Sequence, residues 1–250
     1  MGDDLPREDP VAEARRLVEL GAATRLVVRA VGGAAFTLQA RQGLHLPRAI
    51  KDVDVVVPKG ASRSSAELMT RAGYLADGMF NALHGASRLL FCDQGNGRHL
   101  DVFVGAFSLC HAIPIAERLD RDPLTVPREE LLLTKLQIVQ LTENDRIDIV
   151  NLLADYDVVD GEDAEAIDGG FIARLCARDW GLWRTTTGTL NRVTDYVPGT
   201  PLDAEIQAIV LERARRLLGM LDAAPKSTKW KIRSKVGDRV KWHDEPTEEA

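Results

Sequence analysis

Residues 52–57, Asp-Val-Asp-Val-Val-Val, constrain the fold of this 250-residue chain more than any other segment. Their β-branched side chains predict a strand, which Pro58 stops because proline cannot donate to a sheet ladder. Side chains alternate between the two faces of a strand, so Asp52 and Asp54 are expected on one face. Two carboxylates on a mostly buried strand repel each other, and a bound Mg²⁺ relieves that repulsion. The alternative is a strand edge at which water solvates both carboxylates.

A glycine pair, Gly32 and Gly33, lies upstream of this strand. It follows a predicted strand at 25–31 and precedes a predicted helix at 34–42. Glycines at such a turn let backbone N–H groups approach a ligand, and the N-terminus of a helix attracts phosphate. A tight turn without any ligand also explains the pair.

A third carboxylate, Asp101, lies downstream in an apolar run at 100–104. This run and another at 86–92 flank turn-forming residues at 93–98, so we predict a β-hairpin. Asp101 alone is equally consistent with a solvated strand face. Three aspartates on strands after a Gly-Gly turn point more strongly to a shared site.

The pattern changes to helices after Pro123 and Pro127. The spacing of apolar residues predicts helices at 128–142, 144–154, 170–178, 180–196 and 201–222. We therefore predict an α/β (α+β) domain with a central mixed sheet at 1–122 and a helical domain at 123–225. A basic and then acidic tail is expected at 226–250.

The order of these features resembles the DNA polymerase β-like nucleotidyltransferase superfamily. The matching residues are Gly32-Gly33-x-Ala35, then Asp52-x-Asp54, then the lone Asp101. The resemblance implies the nucleotidyltransferase fold, with Asp52, Asp54 and Asp101 as catalytic ligands of divalent metals, Mg²⁺ or Mn²⁺. Two metals there stabilise the attacking and leaving oxygens of the reaction.

Residues 131–154 resemble the abortive-infection type II toxin-like branch of that superfamily. The matching positions are Lys135, followed by Asp145, Arg146 and Asp148 at the start of a second helix. The apolar residues around Lys135 predict a partly buried stem, and its ammonium is expected to reach a cleft and neutralise a triphosphate. An ordinary surface lysine is the alternative.

The resemblance covers about residues 25–155 and departs at one place. The branch carries a hydroxyl residue two positions before the first metal aspartate, and Ile50 occupies that position here. Arg48 and Lys51 remain candidates for phosphate contact, beside Gly32, Gly33 and Lys135.

The resemblance implies transfer of a nucleoside monophosphate from an NTP to a hydroxyl of RNA, protein or a small molecule, with release of pyrophosphate. Two alternatives stay open. One is a catalytically silent nucleotide-binding protein of the same fold. The other is the toxin of a toxin–antitoxin pair, which would modify tRNA and bind an antitoxin protein.

Charge is distributed unevenly along the chain. The formal net charge of −6 argues against a general nucleic-acid coat protein, but residues 226–241 hold seven basic side chains and one acidic one. Three interpretations of this segment stay open: a solvated, partly disordered tail; an RNA or DNA contact, tRNA included, with stacking on Trp230 and Trp242; and a lid over the nucleotide. Residues 155–168 hold seven acids and no base, which predicts a solvated loop.

The remaining composition predicts a cytoplasmic protein without a membrane segment. Three widely spaced cysteines form neither a disulfide framework nor a zinc pattern. The N-terminus is acidic, and no apolar run approaches the ~20 residues that a membrane helix needs.

Overall fold

A computed structural model describes residues 5–245 of the chain. These residues form two compact units. The first unit contains the described residues up to Gln39, together with Ala49–Ser108 and Ala112–Pro127. The second contains Ala40–Arg48, Leu109–His111 and the described residues from Arg128 onward.

The first unit is built on a mixed five-stranded sheet. Its strands are β1 (Arg29–Val31), β2 (Val53–Val57), β3 (Leu75–Ala76), β4 (Arg88–Asp93) and β5 (Arg98–Val104). They lie in the order β1-β2-β5-β4-β3. Strands β2 and β5 are parallel, and the other neighbours are antiparallel. The mixed sheet predicted for this half of the chain is confirmed.

Helices accompany this sheet and share its core. They are α1 (Pro10–Ala23), α2 (Gly32–Gln39), α3 (Ser62–Arg71) and α4 (Gly78–His84). Both α1 and α2 contact β2, and Val53, Val55 and Phe91 of the sheet are fully buried. Asp9 caps α1 by accepting a hydrogen bond from the Ala12 N–H, and Pro10 suits the first helical turn. The short strands β6 (Phe107–Ser108) and β7 (Ala112–Ile113) form a separate ladder.

The predicted hairpin is confirmed, and its turn is stabilised by side chains. Strands β4 and β5 pair antiparallel from Arg88 to Asp93. The Asp93 carboxylate accepts hydrogen bonds from the backbone N–H groups of Gly95 and Asn96. It also forms a buried ion pair with Arg98 at 2.9 Å. These contacts satisfy backbone groups that the turn leaves without ladder partners.

The second unit is mainly helical. Its helices are α5 (Arg128–Leu136), α6 (Glu143–Asp155), α7 (Gly169–Cys176), α8 (Trp180–Tyr196), α9 (Ala204–Ala223) and α10 (Thr228–Val236). Helix α9 contacts α6, α7 and α8, and buries Val210, Ala214, Leu217 and Leu221 at helical spacing.

The unit boundary differs from a simple cut after residue 122. Residues 40–48 belong to the second unit because hydrogen bonds connect them to α6. The Leu46 N–H donates to Asn151 Oδ1 at 2.8 Å, and Asn151 Nδ2 donates to the Leu46 carbonyl at 3.0 Å. His45 contacts Asp155 at 2.8 Å. Arg48 therefore belongs to the helical unit.

Two element predictions in the second unit were wrong. Helix α5 ends at Leu136 instead of residue 142, because Thr142 caps the next helix in a capping box with Asp145. The segment 155–168 is not a simple loop, since it forms the parallel strands β8 (Asp157–Val159) and β9 (Ala166–Asp168). Buried Val158 and Ile167 stabilise this ladder. The pattern also did not predict α4 or α10.

The basic segment is not a disordered tail over its described part. Helix α10 begins after Ser227, whose side chain accepts a hydrogen bond from the backbone N–H of Trp230. The helix contacts α8. The Trp230 ring meets Trp183 edge-on at 5.2 Å. Trp242 meets Trp180 at 6.3 Å and donates to Thr185 Oγ1. Both rings, for which stacking on bases was one of three interpretations, therefore contact protein. Residues 246–250, which include Glu248 and Glu249, lie outside the described residues.

Between residues 5 and 245, no helix combines the length and the apolar character needed to cross a membrane.

Candidate functional site

Asp54 and Asp101 lie side by side in the middle of the sheet of the first unit. They are Cα partners in the parallel pairing of β2 with β5. Paired residues of neighbouring strands project from the same face, so the two carboxylates are neighbours. Asp101 is 5% exposed and Asp54 is half-buried. Two like charges at such positions require nearby positive charge or a change of protonation.

Gly32 places backbone directly against the Asp54 carboxylate. Its φ is +64°, in the left-handed region that favours glycine. A Cβ built at this position would lie 1.9 Å from Asp54 Oδ2. No other residue therefore fits at the first position of α2 without moving the carboxylate. Gly33 follows as a buried residue of the same helix.

Asp52 lies just outside the strand. Strand β2 begins at Val53, so strict alternation does not place the Asp52 side chain. Its Oδ1 instead accepts a hydrogen bond from the His99 backbone N–H at 2.9 Å. The predicted strand was one residue too long, because the Asp52 carboxylate caps the ladder toward β5. Lys51 precedes it as an exposed residue.

Arg88 forms an ion pair with the third carboxylate. Its Nε donates to Asp101 Oδ1 at 2.6 Å, and the two side chains are 15% and 7% exposed. The guanidinium carbon lies 5.5 Å from the Phe80 ring centroid and 5.3 Å from that of Phe103. The arginine therefore has both a carboxylate and two aromatic rings as neighbours.

Lys135 and Arg48 meet two carboxylates in the second unit. Lys135 Nζ lies 2.7 Å from Asp145 Oδ1 and 3.2 Å from Asp148 Oδ2. Arg48 Nε lies 3.1 Å from Asp148 Oδ1. The Lys135 side chain is only 13% exposed, so it is not an ordinary surface lysine. These four side chains form a compact, nearly buried ionic cluster.

Burial and charge act in opposite directions on this cluster. Burial outweighs the attraction of Lys135 and Arg48 and raises the pKa of the Asp148 carboxyl. For Asp145, burial is outweighed by Lys135 and by hydrogen bonds from Thr142, so its pKa is lowered. Burial likewise opposes the charge of Lys135, but the two aspartates raise its pKa. The lysine is thus held in its charged form.

The predicted site residues divide between the two units. Asp52, Asp54, Asp101, the two glycines and Lys51 belong to the first unit, and Arg48 and Lys135 to the second. Among residues 5–245, no three His, Cys, Asp or Glu side chains are arranged so that they could hold a metal ion together. In this conformation Asp101 is engaged by Arg88 instead.

Arg88 and Phe80 are the residues near the carboxylates that sequence reasoning missed. An arginine opening the otherwise apolar segment Arg-Leu-Leu-Phe-Cys at 88–92 was the available signal. The register of β4 with β5 explains why Arg88 contacts Asp101. Arg88 pairs with Phe103 and Leu90 with Asp101, so Arg88 is a diagonal neighbour of Asp101 on one face.

Comparison of the chain with models of protein families, with curated proteins and with solved structures gave no match.

Proposed function

We propose that this protein is a Mg²⁺-dependent nucleotidyltransferase, which transfers a nucleoside monophosphate from an NTP to a hydroxyl acceptor and releases pyrophosphate. The observation that carries the proposal is the pairing of Asp54 with Asp101 on neighbouring parallel strands, with the Gly32 backbone against the Asp54 carboxylate. Such a sheet face with a helix N-terminus beside it favours a ligand that combines metal and phosphate.

The donor set fits a hard cation by its chemistry. Carboxylate oxygens are what Mg²⁺ prefers, and it commonly takes one or two protein carboxylates together with substrate phosphates. Asp54 and Asp101 would provide these on adjacent strands, while the Asp52 carboxylate accepts a hydrogen bond from the His99 N–H. Asp101 Oδ1 would become a ligand only if it exchanged Arg88 for the metal, since Arg88 Nε donates to Oδ1 at 2.6 Å. Bound metal would supply charge neutralisation at the transferring phosphoryl group.

The protein's own contribution would be positioning. The β2–β5 register fixes the spacing of Asp54 and Asp101, and the hydrogen bond from His99 N–H fixes the Asp52 carboxylate. The start of α2 at Gly32 would favour a phosphate through the backbone N–H groups and the dipole of the helix N-terminus. Phosphoryl transfer needs little covalent help from the protein, so such pre-arranged charges account for most of the catalysis.

The direct test incubates the protein with each labelled NTP, Mg²⁺ and acceptors including RNA, and measures pyrophosphate. Asp54→Asn is expected to weaken Mg²⁺-dependent NTP binding by about 100-fold, because a metal–carboxylate contact contributes several kcal/mol. Glu67→Gln is the control, since this carboxylate pairs with Arg63 on the exposed surface. Equal binding by Asp54→Asn and wild type would overturn the site assignment.

A second candidate is a nucleotide-binding protein without turnover. The Arg88–Asp101 pair favours it, because the guanidinium competes with a metal for Asp101 Oδ1. This function predicts metal-dependent NTP binding with no pyrophosphate released over any acceptor. Pyrophosphate release that is abolished by Asp101→Asn would exclude it.

A further inference from the structure

The outward side of α10 combines basic and aliphatic side chains. Ile232 and Val236 are four residues apart, so they share one face of the helix. They are 63% and 39% exposed. Lys229 precedes Ile232 by three residues and Lys235 follows it by three, and both lysines are exposed. An exposed aliphatic pair therefore has a lysine on either side.

Different residues form the inner side of α10. Trp230 meets Trp183 edge-on at 5.2 Å, and the Arg233 guanidinium carbon lies 4.5 Å from the Trp180 ring centroid. Lys226 donates hydrogen bonds to backbone carbonyls at the end of α9. These residues position the helix. Stacking of the rings on a nucleic-acid base would have to break contacts that the fold already uses.

The basic and aliphatic surface continues beyond the helix. Arg239 and Val240 are exposed, Val240 at 55%. The one acid of the basic segment, Asp238, already pairs with an arginine of α8 at 3.0 Å, and Lys241 pairs with Glu245 at 2.7 Å. The exposed basic side chains outside these pairs are Lys229, Lys231, Lys235 and Arg239. Together with Ile232, Val236 and Val240 they form what we call the α10 surface.

The chemistry of the α10 surface matches an anionic bilayer better than a phosphate backbone. Nucleic acid would pair with the basic side chains, but its phosphates give the three exposed aliphatic side chains no apolar contact. A bilayer satisfies both kinds of side chain. Anionic headgroups attract lysine and arginine, each contributing about fivefold in affinity. Aliphatic side chains enter the boundary between headgroups and acyl chains, while lysine ammonium groups stay among the headgroups.

We propose that the α10 surface docks the protein on an anionic lipid bilayer. The four basic side chains bind headgroups, and the three aliphatic side chains enter the boundary beneath them. The helix lies in the plane of the membrane surface, since its nine residues are far fewer than the ~20 needed to cross a bilayer. The contact needs neither nucleotide nor metal, so it holds or fails independently of the proposed function.

The test sediments the full chain with vesicles of phosphatidylcholine that contain about one third phosphatidylserine, and with vesicles of phosphatidylcholine alone. Wild type is expected to bind the mixed vesicles about 100-fold more tightly at low salt, because several basic side chains contribute. At about 1 M salt the Debye length falls to about 3 Å, and most of this difference should disappear.

Three variants separate the contributions of charge and apolar contact. Lys229→Gln combined with Lys235→Gln should weaken binding to the mixed vesicles by about 25-fold, because two charges are lost. Ile232→Ser should weaken it by about fivefold, because serine gains nothing from the apolar boundary. Arg63→Gln removes one charge from an arginine of α3 that is 92% exposed, and it should leave binding unchanged. Circular dichroism checks that each variant is folded, as expected for changes at exposed positions.

Two polymers, poly(U) RNA and polyglutamate, present negative charge without a bilayer. Displacement of wild type from the mixed vesicles by either polymer, at an equal concentration of negative charges, would show that the α10 surface prefers nucleic acid or an acidic protein. Lipid docking would then be wrong. Equal binding to the two kinds of vesicle, or no loss in the double lysine variant, would overturn it as well.

Discussion

At the scale of single residues, Gly32 carries a steric requirement that is independent of any ligand. Its positive φ already disfavours a side chain, and the Asp54 carboxylate occupies the space where a Cβ would lie. The residue therefore couples the turn after β1 to the position of the carboxylate on β2. Disturbing the glycine should disturb both stability and the site.

Gly32→Ala is expected to lower the free energy of unfolding by about 2 kcal/mol or more, from backbone strain and the displaced carboxylate. Gly60→Ala is the matched control, since Gly60 also has a positive φ of +82° but no atom within 4 Å of its would-be Cβ. Gly60→Ala should lower the free energy of unfolding by about 1 kcal/mol, from backbone strain alone. Urea denaturation measures both. Equal losses in the two variants would show that Asp54 does not make Gly32 necessary.

Lys135 is expected to be important for stability whatever it does in function. Lys135→Met leaves Asp145 and Asp148 nearly buried with less compensating charge, which should cost about 3 kcal/mol at pH 7.5. Burial already raises the pKa of Asp148, and loss of the lysine should raise it further. Protonation of Asp148 then relieves the penalty as the pH falls.

Chemical denaturation of Lys135→Met at pH 7.5 and pH 5 checks this prediction. The destabilisation relative to wild type should be smaller at the lower pH. Arg63→Met, which breaks an exposed pair with Glu67, is the control and should cost less than about 1 kcal/mol. If Lys135→Met destabilised the protein no more than Arg63→Met does, the buried ionic cluster would not stabilise the fold as we expect.

At the scale of elements, α10 is attached by a few aromatic contacts and exposes most of its charges. Trp230 meets Trp183, and Arg233 lies over the Trp180 ring at 4.5 Å. Lys229, Lys231 and Lys235 are exposed. Trp183 and Trp230 keep their indole N–H groups buried without a hydrogen-bond partner. The contact of the rings therefore holds this helix together with a hydrogen bond at its start, from the Ser227 backbone N–H to the Ala177 carbonyl.

Trp230→Ala is expected to open α10 locally while the rest of the second unit stays folded. Amide hydrogen exchange in residues 228–236 should speed up by about tenfold, because an aromatic pair contributes about 0.5–1.5 kcal/mol. Lys231→Ala, an exposed change on the same helix, should leave exchange unchanged. Unaltered protection in Trp230→Ala would mean that the tryptophan pair does not anchor the helix.

At the scale of the whole molecule, His111 connects the fold to acid stability. The residue is 8% exposed. Its backbone N–H donates a hydrogen bond to Gln137 Oε1, and its ring Nε2 lies within hydrogen-bond distance of Thr185 Oγ1 on α8. Burial lowers the pKa of His111; Asp179 and Asp244 oppose this change, and His243 adds to it. The folded protein therefore favours the neutral ring.

The sign of the pH effect follows from this shift. Below the ordinary histidine pKa of 6.5, the unfolded chain gains a proton that the folded protein resists. Stability contributed by neutral His111 is present above that pH, and it is lost as the pH falls toward the lowered pKa. His111→Gln should thus lose less stability than wild type between pH 7.5 and pH 5.5.

Denaturant midpoints at the two pH values check this prediction. His84→Gln is the control, because this histidine is exposed on α4. Identical pH profiles for His111→Gln and wild type would show that His111 does not contribute to the acid sensitivity.

Local sequence patterns determined most of the elements of this chain. Alternating β-branched residues predicted β2, turn chemistry predicted the β4–β5 hairpin, and apolar spacing predicted α8 with its observed bounds, Trp180–Tyr196. These features depend on interactions between residues close in sequence, so their signal is local. The elements that local patterns missed are short or charged. Strands β8 and β9 form because distant residues bury Val158 and Ile167. Helix α10 has no buried residue and is positioned by the contact of Trp230 with Trp183.

The candidate site shows the same division. The sequence by itself predicted Asp52, Asp54, Asp101 and the glycine pair as candidate site residues, because their types and order are typical of a metal and phosphate site. Only tertiary structure decided that Asp54 pairs with Asp101, that Asp52 caps the ladder through His99, and that Arg88 holds the third carboxylate. Strand register and unit membership join residues far apart in the chain. Those contacts follow from the packing of the whole sheet, and no local pattern encodes them.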